Sequence, residues 1–348
     1  MSQIISYKGK NLTLHKAIKS PNFEGKTVLV NDPWEYVEMW LKRNNHNDEA
    51  LFYWQQSRQF YEASTMLPLT SSPLTTYYCF LNAVKTLLIV KNVPFSDRHG
   101  VSGWSKNSKV SLSNEYIKIQ TGGILPALCN YLDEPVNTAE TYLLRDVLYN
   151  LPFIHRAYCL TYTSTSTKEL FIPIRKAFFV KKNGSSESWF SAEIDPKYAN
   201  GHTLKKVAEN FERDPTFENA FVVRTKKRFR WRRDDPNKLN KLVTFHCKIR
   251  KQIHYIAGMS RLWYIKREGI DGVISRNPMS LTFAGMHRLS ELSRYEPVVL
   301  SKHLSSQHNW LLSEFIKNAP YQFIDHIASE ITGEEFMSPG IVTRRDLL

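Results

Sequence analysis

The hydrophobic pattern of this chain changes period twice. Residues 32–157 and 277–335 space apolar side chains as a helix does, and residues 158–276 alternate them as strands do. The two patterns are not interchangeable. Side chains return to one face every 3.6 residues on a helix and every two on a strand. The order is therefore helices, sheet, helices. This predicts an α+β fold with a mainly helical body, its N- and C-terminal helices packed together, and a β-rich middle insertion. Residues 1–31 read as an arm or strand and 336–348 as a tail.

Local signals place the elements. Asp32-Pro33 and Ser72-Pro73 read as helix starts, with a capping side chain followed by proline at the first helical position. Asp48 opens another helix. Tyr77, Phe80, Leu81, Val84, Leu87 and Leu88 make the helix after Pro73 apolar nearly all round, which predicts burial. Gly100 and Gly103 mark a polar loop, and helical text follows over 125–151. Asn277-Pro278 starts helical text again, and Pro320 is expected to begin a last helix. The strand candidates are residues 171–181, 188–194, 221–232, 243–249 and 262–267, with Asn183-Gly184 as a hairpin turn. Residues 204–211 read as a short helix.

With 348 residues, 42% apolar and 23% charged, the chain is neither disordered, fibrous nor a small disulfide scaffold. No stretch approaches the ~20 apolar residues of a membrane helix. Residues 1–11 lack a hydrophobic signal core, so a cytoplasmic location is expected. Cys79, Cys129, Cys159 and Cys247 lie far apart, which predicts reduced thiols rather than a zinc site. No cofactor or metal is expected.

The net charge is +14, and it is concentrated. Residues 224–276 hold sixteen Lys or Arg and four Asp or Glu, a net +12. The other 295 residues hold thirty-one and twenty-nine, a net +2. As a strand, Arg228-Phe229-Arg230-Trp231-Arg232 puts three arginines on one face and two aromatics on the other. The next stretch, read as a strand, puts Thr244, His246, Lys248 and Arg250 on one face and Val243, Phe245, Cys247 and Ile249 on the other. The predicted cationic face comprises Arg224, Lys226, Lys227, Arg228, Arg230, Arg232, Arg233, Lys248, Arg250, Lys266 and Arg267. Arginine suits phosphate because its planar fork binds two oxygens at once. The plainer reading is a solvated sheet face, or a patch that meets an acidic protein.

Catalytic signatures are scarce. Phosphate-binding loops, Gly-x-Ser-x-Gly and His-Glu-x-x-His are all absent from the sequence. Glu193-Ile-Asp195-Pro-Lys197 faintly resembles the end of a metal-dependent nuclease site but lacks an upstream Asp on the sheet. His99 in its loop, and His155 with Arg145 upstream, are the acid–base candidates. Arg58 and Glu62, one turn apart, read as an intrahelical ion pair.

Several segments carry a resemblance. Residues Phe52-Tyr53-Trp54-Gln55-Gln56-Ser57-Arg58, Tyr77-Tyr78-Cys79-Phe80-Leu81-Asn82-Ala83 and His99-Gly100 are similar to the YaaC-like bacterial family. So are Ile154-His155-Arg156, Ser293-Arg294-Tyr295-Glu296-Pro297 and Trp310-Leu311-Leu312-Ser313-Glu314-Phe315. The resemblance implies a bacterial cytoplasmic protein of poorly defined activity. The Tyr77–Leu88 pattern also resembles the HEPN class of helical domains, many of which are ribonucleases using Arg, four to six residues, then His. No arginine here has a histidine at that spacing.

The expected function is non-catalytic binding of a nucleic acid or other polyanion through the basic β-rich face. Two alternatives stand beside it. One is a HEPN-related, metal-independent ribonuclease with an atypical site. The other is a helical interaction subunit of a multi-protein system, for example one of phage defence.

Overall fold

A computed structural model describes residues 2–337 apart from 31, 45–46, 164–168, 202–206, 208–209, 218–219 and 259–261. The chain separates into two units. One comprises residues up to 28 with 169–271 and 333–337; the other comprises 29–168 with 272–332. The fold is α+β.

The second unit is mainly helical, and its sequence signals explain why. Helix α1 (Pro33–Arg43) begins where Asp32 Oδ1 accepts the Trp34 N–H at 2.8 Å, with Pro33 at the first position. Helices α2 (Asp48–Thr65) and α3 (Ser72–Val90) pack along each other, with Ser57 Oγ donating to the Cys79 carbonyl at 2.7 Å. Helix α3 is buried on nearly all sides, as its all-round apolar text requires. Next come α4 (Ile124–Tyr131), α5 (Leu144–Tyr149) and α6 (His155–Thr161). The later helices α8 (Pro278–Tyr295), α9 (Pro297–Leu304) and α10 (Asn309–Thr332) return to the same body. Phe80 of α3 stacks on Phe323 of α10 with ring centroids 4.1 Å apart, so helices from both ends of the sequence share one core.

Three expectations change in this unit. The polar loop at Gly100–Gly103 leads straight into a strand, β5 (Val101–Ser105), which pairs with β6 (Glu115–Ile119) and through it with β7 (Glu140–Leu143). The helical text over 125–151 is thereby interrupted. Pro320 does not open a helix but sits inside α10, because the apolar face runs on both sides of it from Leu311 and Phe315 to Phe323 and Ile327. Strand text begins later than residue 158, since Tyr158 lies within α6.

The first unit is built on an antiparallel sheet, with one α-helix among the described residues. Strand β1 (Ser2–Ile4) pairs with β8 (Phe171–Lys182). Strands β2 (Ser6–Tyr7) and β3 (Lys10–Asn11) form a hairpin. The short β4 (Val28–Leu29) pairs with β15 (Phe336–Met337), the Val28 N–H donating to the Glu335 carbonyl at 2.8 Å. The Asn183-Gly184 turn joins β8 to β9 (Glu187–Ile194), with Gly184 at φ +70° where a side chain would be strained. The sheet continues through β10 (Phe211–Arg213), β11 (Val222–Thr225), β12 (Phe229–Arg230), β13 (Ile253–Ile256) and β14 (Leu262–Lys266). Its path runs β10-β11-β9-β8-β14-β13, with β1 on β8 and β12 on β9.

Residues 243–249 are not a strand. They belong to helix α7 (Lys238–Ile249). The stretch alternates, but Leu242, Phe245, His246 and Ile249 also fall on one helical face, and that face is buried. Phe245 stacks on Phe229 at 4.7 Å and meets Phe179 edge-on at 6.4 Å. Burying each such ring contributes about 1.5–3 kcal/mol, so core burial overrides the local alternation. The predicted short helix at 204–211 lies largely outside the described residues; Phe211 itself begins β10. Most of the predicted tail, residues 338–348, also lies outside them.

Candidate nucleic-acid interface

The candidate cations of the first unit divide into three groups by what they touch. The first is neutralised within the sheet. Arg224 and Arg228 lie over the Trp189 ring at 5.5 and 5.1 Å and share the Glu212 carboxylate at 2.8 and 3.0 Å. Arg228 also reaches Glu187 at 3.5 Å, and Arg224 approaches Asp214 at 3.7 Å. Asp214 is fully buried and accepts from Trp189 Nε1 at 3.2 Å and Ser191 Oγ at 3.0 Å. Burial pushes its carboxyl up, but hydrogen bonds from Thr216, Ser191 and Trp189 outweigh this and hold it below the ordinary value. Glu212 behaves likewise, lowered by the two guanidinium groups against its own desolvation.

The second group is structural. Arg250 is buried and donates to the His15, Lys16 and Ile253 carbonyls at 2.6, 2.8 and 3.1 Å. It stitches the N-terminal segment to β13. Lys266 is buried at the end of β14, and Arg267 donates to the Glu169 carbonyl at 2.8 Å. The expected exposed row Thr244, His246, Lys248 and Arg250 is corrected, because it presumed a strand. On the helix, Thr244 and Lys248 are exposed while His246 and Arg250 are interior. Burial holds the His246 imidazole neutral, its pKa well below the ordinary value, and it accepts the His15 N–H at 3.2 Å.

The third group forms no close ion pair among the described residues, although the charge of Arg232 reaches the Asp235 carboxylate. Lys226, Lys227, Arg230, Arg232, Arg233 and Lys248 are all exposed. Phe229 and Trp231, at 8% and 6% exposure, are anchored in the core between them, as alternation predicts. That anchoring turns Arg230 and Arg232 outward. A depression of about 250 Å³ lined by Lys227, Arg228 and Lys248 lies beside Phe245 and Ile249, towards the C-terminal end of α7. A larger one of about 510 Å³ lies by Lys238 in its first turn, and includes Arg233 and Trp231.

Sequence reasoning missed Lys8, Lys181 and Lys238, which line that larger depression. Lys238 had a readable signal, since Asp235-Pro236-Asn237 opens a helix. Lys8 and Lys181 had none, because only the pairing of β1 with β8 brings them near it.

The acid–base candidates belong to the second unit. His99 is exposed, and its Nδ1 is hydrogen-bonded to the hydroxyl of buried Tyr77. Behind it lies His287, ring centroids 5.8 Å apart. Its loop is fixed by two glycines: Gly100 at φ +74° and Gly123 at φ +125° approach so closely that a Cβ on Gly123 would stand 2.6 Å from the Gly100 Cα. His155 is different. It is 3% exposed, with Nδ1 on the Tyr149 carbonyl at 3.0 Å and Nε2 3.4 Å from Cys159 Sγ. Arg145 pairs with neighbouring Asp146 at 3.1 Å. His99 thus has the Tyr77–His287 group for company, while His155 is packed beside Tyr149. Arg58 does pair with Glu62 at 3.0 Å.

No group of three His, Cys, Asp or Glu among the described residues is placed to hold a metal ion. No described helix is long and apolar enough to cross a membrane. A family model described as YaaC-like Protein matches residues 18–331. No curated protein and no solved structure matches the chain.

Proposed function

The chain belongs to the YaaC-like protein family, and from that premise we propose that it is a non-catalytic nucleic-acid-binding protein acting through the first unit. The observation that carries this reading is a set of six exposed cations with no ion pair among the described residues, Lys226, Lys227, Arg230, Arg232, Arg233 and Lys248, gathered within 23 residues of chain. Arg224, Arg228, Arg250, Lys266 and Arg267 are committed inside the fold and drop out of the contact set. The reading is thus carried by about half of the residues that alternation nominated. A phosphate backbone suits such a surface because binding releases condensed counterions, a gain that needs cations but no base-specific groups.

The test is the anisotropy of a fluorescent 20-nucleotide RNA or DNA at low salt. Replacing Arg230, Arg232, Arg233 and Lys248 with Ser should weaken binding at least tenfold. Replacing exposed Arg43, Lys106, Lys302 and Lys317 of the second unit should leave it within about twofold, although the net charge changes equally. Equal losses in the two variants would overturn the assignment.

One observation favours a second reading, an RNA-cleaving activity at His99. That imidazole is exposed and oriented by Tyr77 on a loop held rigid by Gly100 and Gly123. Cleavage of RNA in excess chelator, lost in His99→Ala, would establish it; an uncut RNA would remove it.

A further inference from the structure

We propose that the larger depression of the first unit binds the terminal phosphate of a nucleotide, either free or at the end of a strand. This rests on the nucleic-acid reading above and narrows it to an end group. The cavity measures about 510 Å³, within the range of small-molecule sites. Four cations line it from four separate segments: Lys8 at the tip of the β2–β3 hairpin, Lys181 near the end of β8, Arg233 after β12, and Lys238 in the first turn of α7. No carboxylate is among the lining residues.

The carboxylate that pairs with one of these cations is Glu24. It pairs with Lys8 at 2.7 Å and accepts from the Tyr7 hydroxyl at 3.2 Å. Lys8 is therefore already answered, while Lys181, Arg233 and Lys238 have no ion pair among the described residues. The Lys238 ammonium is anchored by one bond to the Arg233 carbonyl at 2.6 Å, with further N–H groups to give. Together the three can meet a phosphomonoester, which presents three acceptor oxygens and nearly two charges. An internal diester carries one charge and must run on in both directions, so it matches three converging cations less well than a terminal phosphate does. Part of the lining is apolar, with Trp231 buried and Lys238 Nζ over the Tyr7 ring at 5.4 Å. Ile4 is 43% exposed there, and Tyr7 stands edge-on to Trp231 at 6.1 Å. Of these, exposed Ile4 is the apolar surface open to a nucleoside.

The experiment uses the full chain and three probes at one fixed salt concentration. They are a 12-nucleotide strand phosphorylated at its 5′ or 3′ end, the same strand with hydroxyl ends, and a nucleoside monophosphate. The phosphorylated strand should bind about tenfold more tightly than the hydroxyl strand. The double variant Lys181→Ser, Lys238→Ser should erase that preference while keeping the hydroxyl strand within about twofold, with an unchanged melting temperature as the control for folding. Saturable binding of the monophosphate assigns the ligand to a free nucleotide; preference for strand ends alone assigns it to a terminus. Equal affinity for both kinds of end, or a preference that survives the double variant, would overturn the pocket and leave the surface reading intact. Absence of binding by every strand and by the monophosphate would overturn both.

Discussion

The two units use the same residue types to opposite ends. In the second unit, one charge network is buried and closed on itself. Arg288 and Glu115 are almost fully buried and bonded at 2.7 Å, Ser105 donates to Glu115 at 2.9 Å, and His303 Nε2 lies 3.1 Å from it. Arg288 also meets Glu291 at 3.2 Å, and Glu291 accepts the Gly103 N–H at 3.1 Å. Gly103 has to lack a side chain because Arg288 and Glu291 occupy that space. Burial pushes the Glu115 carboxyl up, yet bonds from His303 and Arg288 hold it below its ordinary value. In the first unit, the Arg224–Arg228–Glu212 network is also satisfied, but it leaves a surplus of cations outside it. A buried ion network fixes a fold; an exposed surplus is available to a ligand.

The largest expected effect breaks the closed network. Arg288→Met should leave Glu115 buried with only Ser105 and His303 for company and destabilise the protein by about 3–5 kcal/mol, read by denaturant unfolding. A shift under 1 kcal/mol would mean that the network is not the anchor described. Gly123→Ala should cost about 1–3 kcal/mol through its positive φ and its clash with Gly100, and should loosen the His99 loop.

Acid sharpens the comparison next. Burial lowers the His287 pKa to about 3, and His246 in the first unit is also held neutral. Both groups therefore take up protons more readily when unfolded. Stability should be full above about pH 6.5 and fall as pH drops towards 3, by about 1.4 kcal/mol per pH unit for His287, with His246 acting in the same direction. His287→Phe should remove its share of that slope in a pH series of melts. An unchanged slope would contradict its burial as a neutral group. The smallest effect belongs to the first unit: Arg228→Ser should change stability by less than about 1 kcal/mol, since its pairs are partly exposed.

Signals that act within a few residues were legible in the sequence. The Asp32 cap, the all-round apolar α3, the Asn183-Gly184 turn and the inward Phe229 and Trp231 all follow from local pattern. Features that depend on distant partners were not. Residues 243–249 satisfy both periods, and only the Phe179–Phe229 core decides for the helix. Charge concentration in 224–276 was visible, but the carboxylates at Glu212 and Glu187 that cancel Arg224 and Arg228 lie on other strands. The same holds for Lys8 and Lys181, which strand pairing alone brings to the pocket.

The most direct measurement is the slope of log affinity against log salt for a duplex DNA, in the wild-type protein and in the variant with Arg230, Arg232, Arg233 and Lys248 changed to Ser. The slope should be steep and should flatten by about 0.9 for each phosphate contact removed, roughly 3–4 in all. A wild-type slope near zero, or one that survives the four changes, would contradict the claim that the exposed surplus of the first unit is what meets the nucleic acid.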